Sequence, residues 1–297
     1  MTSMSHGRRS IAFGTYLLCW ILLSLGALRA LAKVATENAP ASHTILIPIV
    51  TLVLLYHRRR SIAAVAGAGR AANVLGAVVV LIGVAFTSIA SLDRASGAQT
   101  VEGDSLTVTI SGFVLGCLGG FLLFYGKNGF RAALFPLLFL AFMIPIPNIL
   151  LDATIQMLRI GSAEAVSALF AITVTPFHRE GFVFVLPAVA IEIGDGCSGI
   201  RSSIALMLTS LLAADGFLKT PWKKALLVAA AVPVAVVKNG IRIAALSLLA
   251  TYVDPTFLTG HLHHEGGMVF FLIAVILMVP LLVALRDSDV MLSRGVS

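Results

Sequence analysis

Three short runs in this 297-residue chain carry residue types that could do chemistry. The first is Gly196-Cys197-Ser198-Gly199-Ile200-Arg201-Ser202-Ser203, in which a thiol opens a long apolar stretch. Read as helix, the spacing puts Arg201 one turn from the sulfur, on the same face. A cation beside a thiol favours the thiolate, the reactive nucleophile, and Ser198 adds a neighbouring hydroxyl. The second run, Lys238-Asn239-Gly240-Ile241-Arg242, is flanked on both sides by Val, Ala, Ile and Leu. Asn239 and Arg242 share a helical face at i and i+3, and Lys238 and Arg242 share one at i and i+4. Burying Arg242 so far inside an apolar helix costs several kcal/mol by most estimates, which makes it a functional candidate by default. Snorkelling to the nearer end would have to cover about nine residues, roughly 14 Å. Lys238 fits a pairing role as well as a catalytic one.

The third run is His261-Leu262-His263-His264-Glu265-Gly266-Gly267. Its histidines fit a metal site, a general acid or base for Cys197, or an exposed interfacial loop. Further ligands for a tetrahedral zinc are not obvious nearby, so no metal is expected, and nothing in the chain points to a cofactor. Glu265 could orient an imidazole or raise its basicity.

The elements that must position these groups follow from composition. Hydrophobic residues make up 58% of the chain and charged residues 12%, about half the roughly 25% usual in soluble domains. The mean hydropathy is +0.99. An integral membrane protein is expected, all-α, with about eight spans near residues 10–32, 43–56, 71–92, 106–125, 132–148, 197–215, 225–251 and 266–285. The second and fifth are short for a bilayer and would have to extend or tilt. Pro145 and Pro147 end the fifth, and Pro233 is expected to kink the seventh. The first apolar span, about residues 10–32, reads as a membrane anchor rather than a cleavable leader.

The net charge of +7 would suggest acidic partners in a soluble protein. Here the basic residues sit in short loops, so they are an orientation signal, and nucleic-acid binding is not expected. Arg8-Arg9, Arg58-Arg59-Arg60, Lys127 with Arg131, and Lys219 with Lys223-Lys224 all fall on one side if spans alternate. That places both termini in the cytoplasm. The three cysteines, Cys19, Cys117 and Cys197, form no CxxC pair, and Cys19 and Cys117 read as small buried hydrophobes.

Between the fifth and sixth spans, Ile149 to Ala171 carries Asp152, Gln156, Arg159, Ser162 and Glu164 among apolar residues. A short amphipathic helix on the outer leaflet suits it. A β-hairpin is expected next, residues 182–186 and 188–193 around Pro187, delivering the chain to Cys197. The organisation is a single membrane domain: N-terminal helices over 1–105, a catalytic core over 106–285 and a cytoplasmic tail over 286–297. On this topology Cys197 begins the sixth span, Asn239 and Arg242 lie toward the end of the seventh, and His263 and His264 precede the eighth. Antiparallel neighbours with short loops pack together, so the three runs can converge at the outer face.

Taken together, Cys197-Ser198-Gly199-Ile200-Arg201, Asn239-x-x-Arg242, and His264 followed by Gly267 and Phe270 resemble the exosortase/archaeosortase family of multi-pass membrane cysteine proteases or transpeptidases. The resemblance covers about residues 110–285. It implies a Cys-Arg-His constellation, Cys197, Arg242 and His264, that processes the C-terminal sorting signal of exported, membrane-anchored proteins. That signal is a PEP-CTERM-type tail: a Pro-containing motif, a transmembrane helix and a basic cluster. His264 is preferred because it directly precedes Glu265, with His263 the close alternative and His261 also open. Arg201, Asn239, Glu265 and Ser198 would support the site. The resemblance further implies a bacterial inner membrane, membrane lipid as surroundings, and exopolysaccharide machinery as a candidate partner. It favours transpeptidation, which the residues alone do not distinguish from hydrolysis.

Two other classes compete. A transporter with Arg201, Lys238 and Arg242 as an anion path would spread polar residues through the membrane depth, whereas here they gather on one side. A non-catalytic subunit of polysaccharide export would tolerate alanine at all three runs.

Overall fold

The computed structural model describes residues 6–37, 39–67, 69–95, 102–258 and 267–294. They fold almost entirely as helices, in two compact units, Met1–Asn148 and Ile149–Ser297. Among the described residues, seven helices are long and apolar enough to cross a membrane, or eight if one bent pair counts as a single span. The protein is therefore an all-α, multi-pass membrane protein, and the expected tally of about eight stands.

In the first unit, the span expected over 10–32 is that bent pair: α1 (His6–Leu23) and α2 (Leu25–Glu37) meet at 68°. Ser24 and Gly26 flank the bend, small residues of the kind at which helices turn sharply. The short second span lengthens at its C-terminal end into α3 (Leu46–Val65). α4 (Arg70–Ala95) and α5 (Glu102–Ala132) run in close backbone contact. A Cβ added at Gly83 would lie 2.7 Å from the Gly112 carbonyl oxygen, and one at Gly119 would lie 2.8 Å from that of Gly76. Small residues allow this approach, which dispersion contacts then stabilise. On α1, Trp20 Nε1 donates to the Phe113 carbonyl at 3.0 Å and the Tyr16 hydroxyl to that of Gly116 at 2.9 Å, fastening α1 to α5. Cys117 is buried as expected, whereas Cys19 is exposed on α1.

The span expected over 132–148 is not one helix. It consists of α6 (Leu134–Phe139), a 3-10 turn over Leu140–Met143, and the extended Ile144–Pro147 stretch. Thr107 Oγ1 donates to the Pro145 carbonyl at 3.1 Å, and the Asn148 N–H donates to Asp104 at 3.1 Å. The segment therefore returns to the N-terminal end of α5. Pro145 and Pro147 lack the N–H groups a helix would need there.

The second unit begins with α7 (Asn148–Ile172). It covers the segment expected to be an amphipathic helix, and it is also long and apolar enough to cross a membrane. Next comes a sheet with one strand more than the expected hairpin: β1 (His178–Glu180), β2 (Val183–Val185) and β3 (Ala190–Glu192), antiparallel in the order β1-β2-β3. Gly181, at φ +61°, makes the tight turn between β1 and β2. Phe184, Leu186, Ile191 and Ile193 pack on Ala163, Val166 and Phe170 of α7 and on Ala244. Burial of each large apolar side chain contributes roughly 1.5–3 kcal/mol, which seats the sheet on the helices.

The unit closes with α8 (Ile200–Phe217), α9 (Pro221–Tyr252) and α10 (Gly267–Arg294). α9 continues as one helix through Pro233. The three helices share a core of Leu206, Ala214, Leu227, Ala231, Ala274 and Met278, among others. Beyond that core, the buried Lys223 ammonium meets Asp289 at 2.9 Å and Ser288 Oγ at 2.7 Å, tying the start of α9 to the end of α10.

Candidate active site

Cys197 lies on a one-turn 3-10 helix, Asp195–Cys197, between β3 and α8. Three supports fix this turn. Behind it, α7 presents Arg159, whose Nε donates to the Ile193 carbonyl at 2.8 Å and whose Nη1 meets the Asp195 carboxylate at 2.8 Å. The Arg159 guanidinium also stacks over Phe182, 4.2 Å from the ring centre. From α9, the Asn239 Nδ2 group donates both to the Cys197 carbonyl at 2.8 Å and to Ser162 Oγ of α7 at 2.9 Å. Just after the turn, Gly199 adopts φ +74°, and its carbonyl accepts the Ser203 N–H and both the Ser202 and Ser203 hydroxyls. A Cβ at position 199 would stand 2.7 Å from Asn239 Oδ1, so both conformation and space require glycine.

α7 and α9 approach closely because small residues line their contact. Gly161 faces Val236, and a Cβ at Gly240 would lie 2.5 Å from the Ala165 methyl. This proximity lets the short Asn239 side chain reach Ser162 and Cys197 together.

The half-buried Cys197 opens onto a cavity of about 320 Å³. Its other walls are Ala190 to Ile193 of the β3 segment and Arg242, Ile243, Leu246 and Ser247 of α9. One cavity thus receives a thiol, which can attack a carbonyl carbon, and a guanidinium, which can stabilise developing negative charge. The Glu192 carboxylate is exposed at the same wall.

The other expected residues fall in different places. Asn239 is buried behind the sulfur-bearing turn rather than facing the cavity. Ser198 is buried, with its Oγ 3.4 Å from the Ile200 N–H. The helical spacing assumed for Arg201 does not relate it to the sulfur: α8 starts only at Ile200, after the left-handed Gly199, and Arg201 is exposed. Lys238 is buried and donates to Ser202 across the α8–α9 contact, so in this structure it has a pairing partner. His261, His263, His264 and Glu265 lie outside the described residues. Among the described residues, no group of three or more His, Cys, Asp or Glu side chains is placed to hold a metal ion.

Sequence reasoning missed Arg159 and Ser162 as supports of the cysteine turn. Their signal was present: polar residues at i and i+3 on one face of an otherwise apolar helix.

No curated protein and no solved structure matches the chain. The family model for transmembrane exosortases (Exosortase_EpsH) matches residues 34–280, a stretch that contains all three chemistry-bearing runs. With a match over most of its length, and a cysteine and an arginine from separate segments facing one cavity, the chain belongs to the transmembrane exosortase family.

Proposed function

We propose that this protein is a membrane-embedded cysteine peptidase or transpeptidase that cleaves the C-terminal sorting signal of exported proteins. The observation that supports it most is the cavity shared by Cys197 and Arg242. Family membership supplies the class of substrate. In the reaction, His264 accepts the thiol proton, with His263 as the alternative, and the Cys197 sulfur attacks the scissile carbonyl carbon. Arg242 stabilises the oxyanion, a contribution of ~2.7–4 kcal/mol for donors of this kind. The carbon–nitrogen bond then breaks, and the imidazolium returns its proton to the leaving amine. Water, or an acceptor amine or hydroxyl, attacks the resulting thioester, and the sulfur leaves as thiolate. Asn239, Ser198, Arg201 and Glu265 are positioning or supporting groups.

Family membership supports a bacterial inner membrane location, and the charge pattern supports cytoplasmic termini with the cavity at the outer face. The test is processing of a reporter carrying a sorting tail by full-length enzyme, with mass spectrometry of the trapped thioester. Cys197→Ser should abolish the thioester, Arg242→Ala should lower turnover by roughly 10²–10³-fold, and His264→Ala should remove most activity. Unchanged processing in Cys197→Ser and Arg242→Ala would sink this reading.

A further inference from the structure

β3 borders the cavity that contains Cys197. The pairing of β2 with β3 shows which of its backbone groups point away from β2. Phe184 faces Ile191, Leu186 N–H donates to the Val189 carbonyl at 2.8 Å, and Ile193 N–H donates to the Phe182 carbonyl at 3.0 Å. Residues 189, 191 and 193 therefore turn their N–H and carbonyl groups toward β2. In an antiparallel ladder the alternate residues, Ala190 and Glu192, turn theirs the other way. β3 is the edge strand on that side, and among the described residues no strand lies beyond it. Ala190 to Ile193 all line the cavity, together with Cys197 and with Arg242, Ile243, Leu246 and Ser247 of α9.

We infer that the substrate segment bearing the scissile bond binds as an added β-strand on β3, hydrogen-bonded to the main chain of Ala190 and Glu192. This rests on the peptidase reading above and specifies how that site takes its substrate. An occupant that displaces water from this exposed edge must replace the water bonds of the outward Ala190 and Glu192 N–H and carbonyl groups, because leaving them unpaired is costly. Another extended main chain offers matching groups at the strand repeat of roughly 3.3 Å per residue. A helical substrate cannot, because its own N–H and carbonyl groups are already bonded to each other. A scissile carbonyl in a helix would also be tied up, whereas one in an added strand presents alternate carbonyls away from β3, free for attack. Affinity would then come from main-chain bonds, and sequence preference from the pockets met by alternate side chains. The sulfur follows β3 in the chain by only a few residues, on a turn locked to Ile193 and Asp195 by Arg159, so strand and nucleophile keep a fixed spacing.

The experiment uses the full chain in detergent or nanodiscs with a synthetic sorting-tail peptide. Each amide flanking the scissile bond is replaced in turn by its N-methyl form, and separately by an ester that removes the N–H without adding bulk. The expected result is a period of two: loss of roughly tenfold in kcat/KM at residues two apart, and near-normal processing at the residue between them. Ala190→Pro removes an outward N–H while leaving the β2–β3 bonds intact, a substitution that edge strands tolerate. It should raise KM with little change in alkylation of Cys197 by iodoacetamide. A profile without two-residue alternation, whether flat or uniformly depressed, overturns the proposal, and it does so even if Ala190→Pro fails to fold. Undiminished processing by Cys197→Ser would instead remove the peptidase reading itself, so the two failures are distinct.

Discussion

Asn239 Nδ2 donates to the carbonyl oxygen of Cys197 at 2.8 Å, joining a buried side chain of α9 to the backbone of the sulfur-bearing turn. The same amide nitrogen donates to Ser162 Oγ at 2.9 Å, so three segments meet at one nitrogen. Asn239→Ala leaves a part-buried carbonyl without this donor, a loss of about 1 kcal/mol. Processing should fall by at least tenfold. Asn239→Asp, with no N–H to offer, should be as damaging. Ser162→Ala removes only one of the two bonds and should be milder. Steady-state kinetics beside thermal unfolding of all three variants checks the order.

Gly199→Ala introduces two penalties at once. A left-handed backbone costs a residue with a side chain roughly 1–2 kcal/mol, and the new Cβ would press on Asn239 Oδ1 at 2.7 Å. The variant should lose activity and unfold at lower temperature. Combining it with Asn239→Ala relieves the clash but not the strain. The double variant should therefore be less destabilised than the sum of the single effects, and additive losses would contradict the contact.

Arg159 acts through the fork of its guanidinium, with Nε on a carbonyl and Nη1 on a carboxylate. Arg159→Lys keeps the charge but cannot make both bonds, so kcat should drop several-fold while helical content by circular dichroism stays unchanged. Asp195→Asn should matter less, because that carboxylate is 72% exposed and its ion pair is screened by solvent. Equal effects from the two substitutions would place the function of Arg159 elsewhere.

At the far end of α9, the Lys223–Asp289 pair is enclosed, with side chains 2% and 5% exposed. Removing one partner strands a buried charge. Lys223→Met or Asp289→Asn alone should lower the unfolding midpoint more than Lys223→Met and Asp289→Leu together. Differential scanning fluorimetry of the purified variants decides it, and a double variant worse than either single one would argue against the pair.

What the sequence disclosed and what it hid have physical causes. Cys197 and Arg242 stood out because a thiol followed by a cation, and a cation deep in an apolar helix, are costly patterns without a purpose. Their meeting in one cavity followed from antiparallel neighbours on short connections. β1 was hidden because His178-Arg179-Glu180 has no alternation of apolar and polar residues; its pairing with β2 is decided by backbone bonds. Gly199 was read as the interior of a helix, and that error created the apparent one-turn relation of Arg201 to the sulfur. Hydropathy could not separate a broken segment from a helix over 132–148, since both bury the same Leu and Phe side chains. The seam between α4 and α5 left a trace only in the spacing of Gly76, Gly83, Gly112 and Gly119, which hydropathy does not weigh.

The sulfur rides on a short turn braced from three sides, not on the bundle's helices themselves. Its alignment can therefore be lost while the fold survives. A change at the Arg159 brace, such as Arg159→Lys, should leave a protein that inserts, migrates and keeps its helices like the parent yet turns over slowly. Surveys of damaging substitutions in this chain should separate into two populations for that reason, one that abolishes abundance and one that silences an intact molecule.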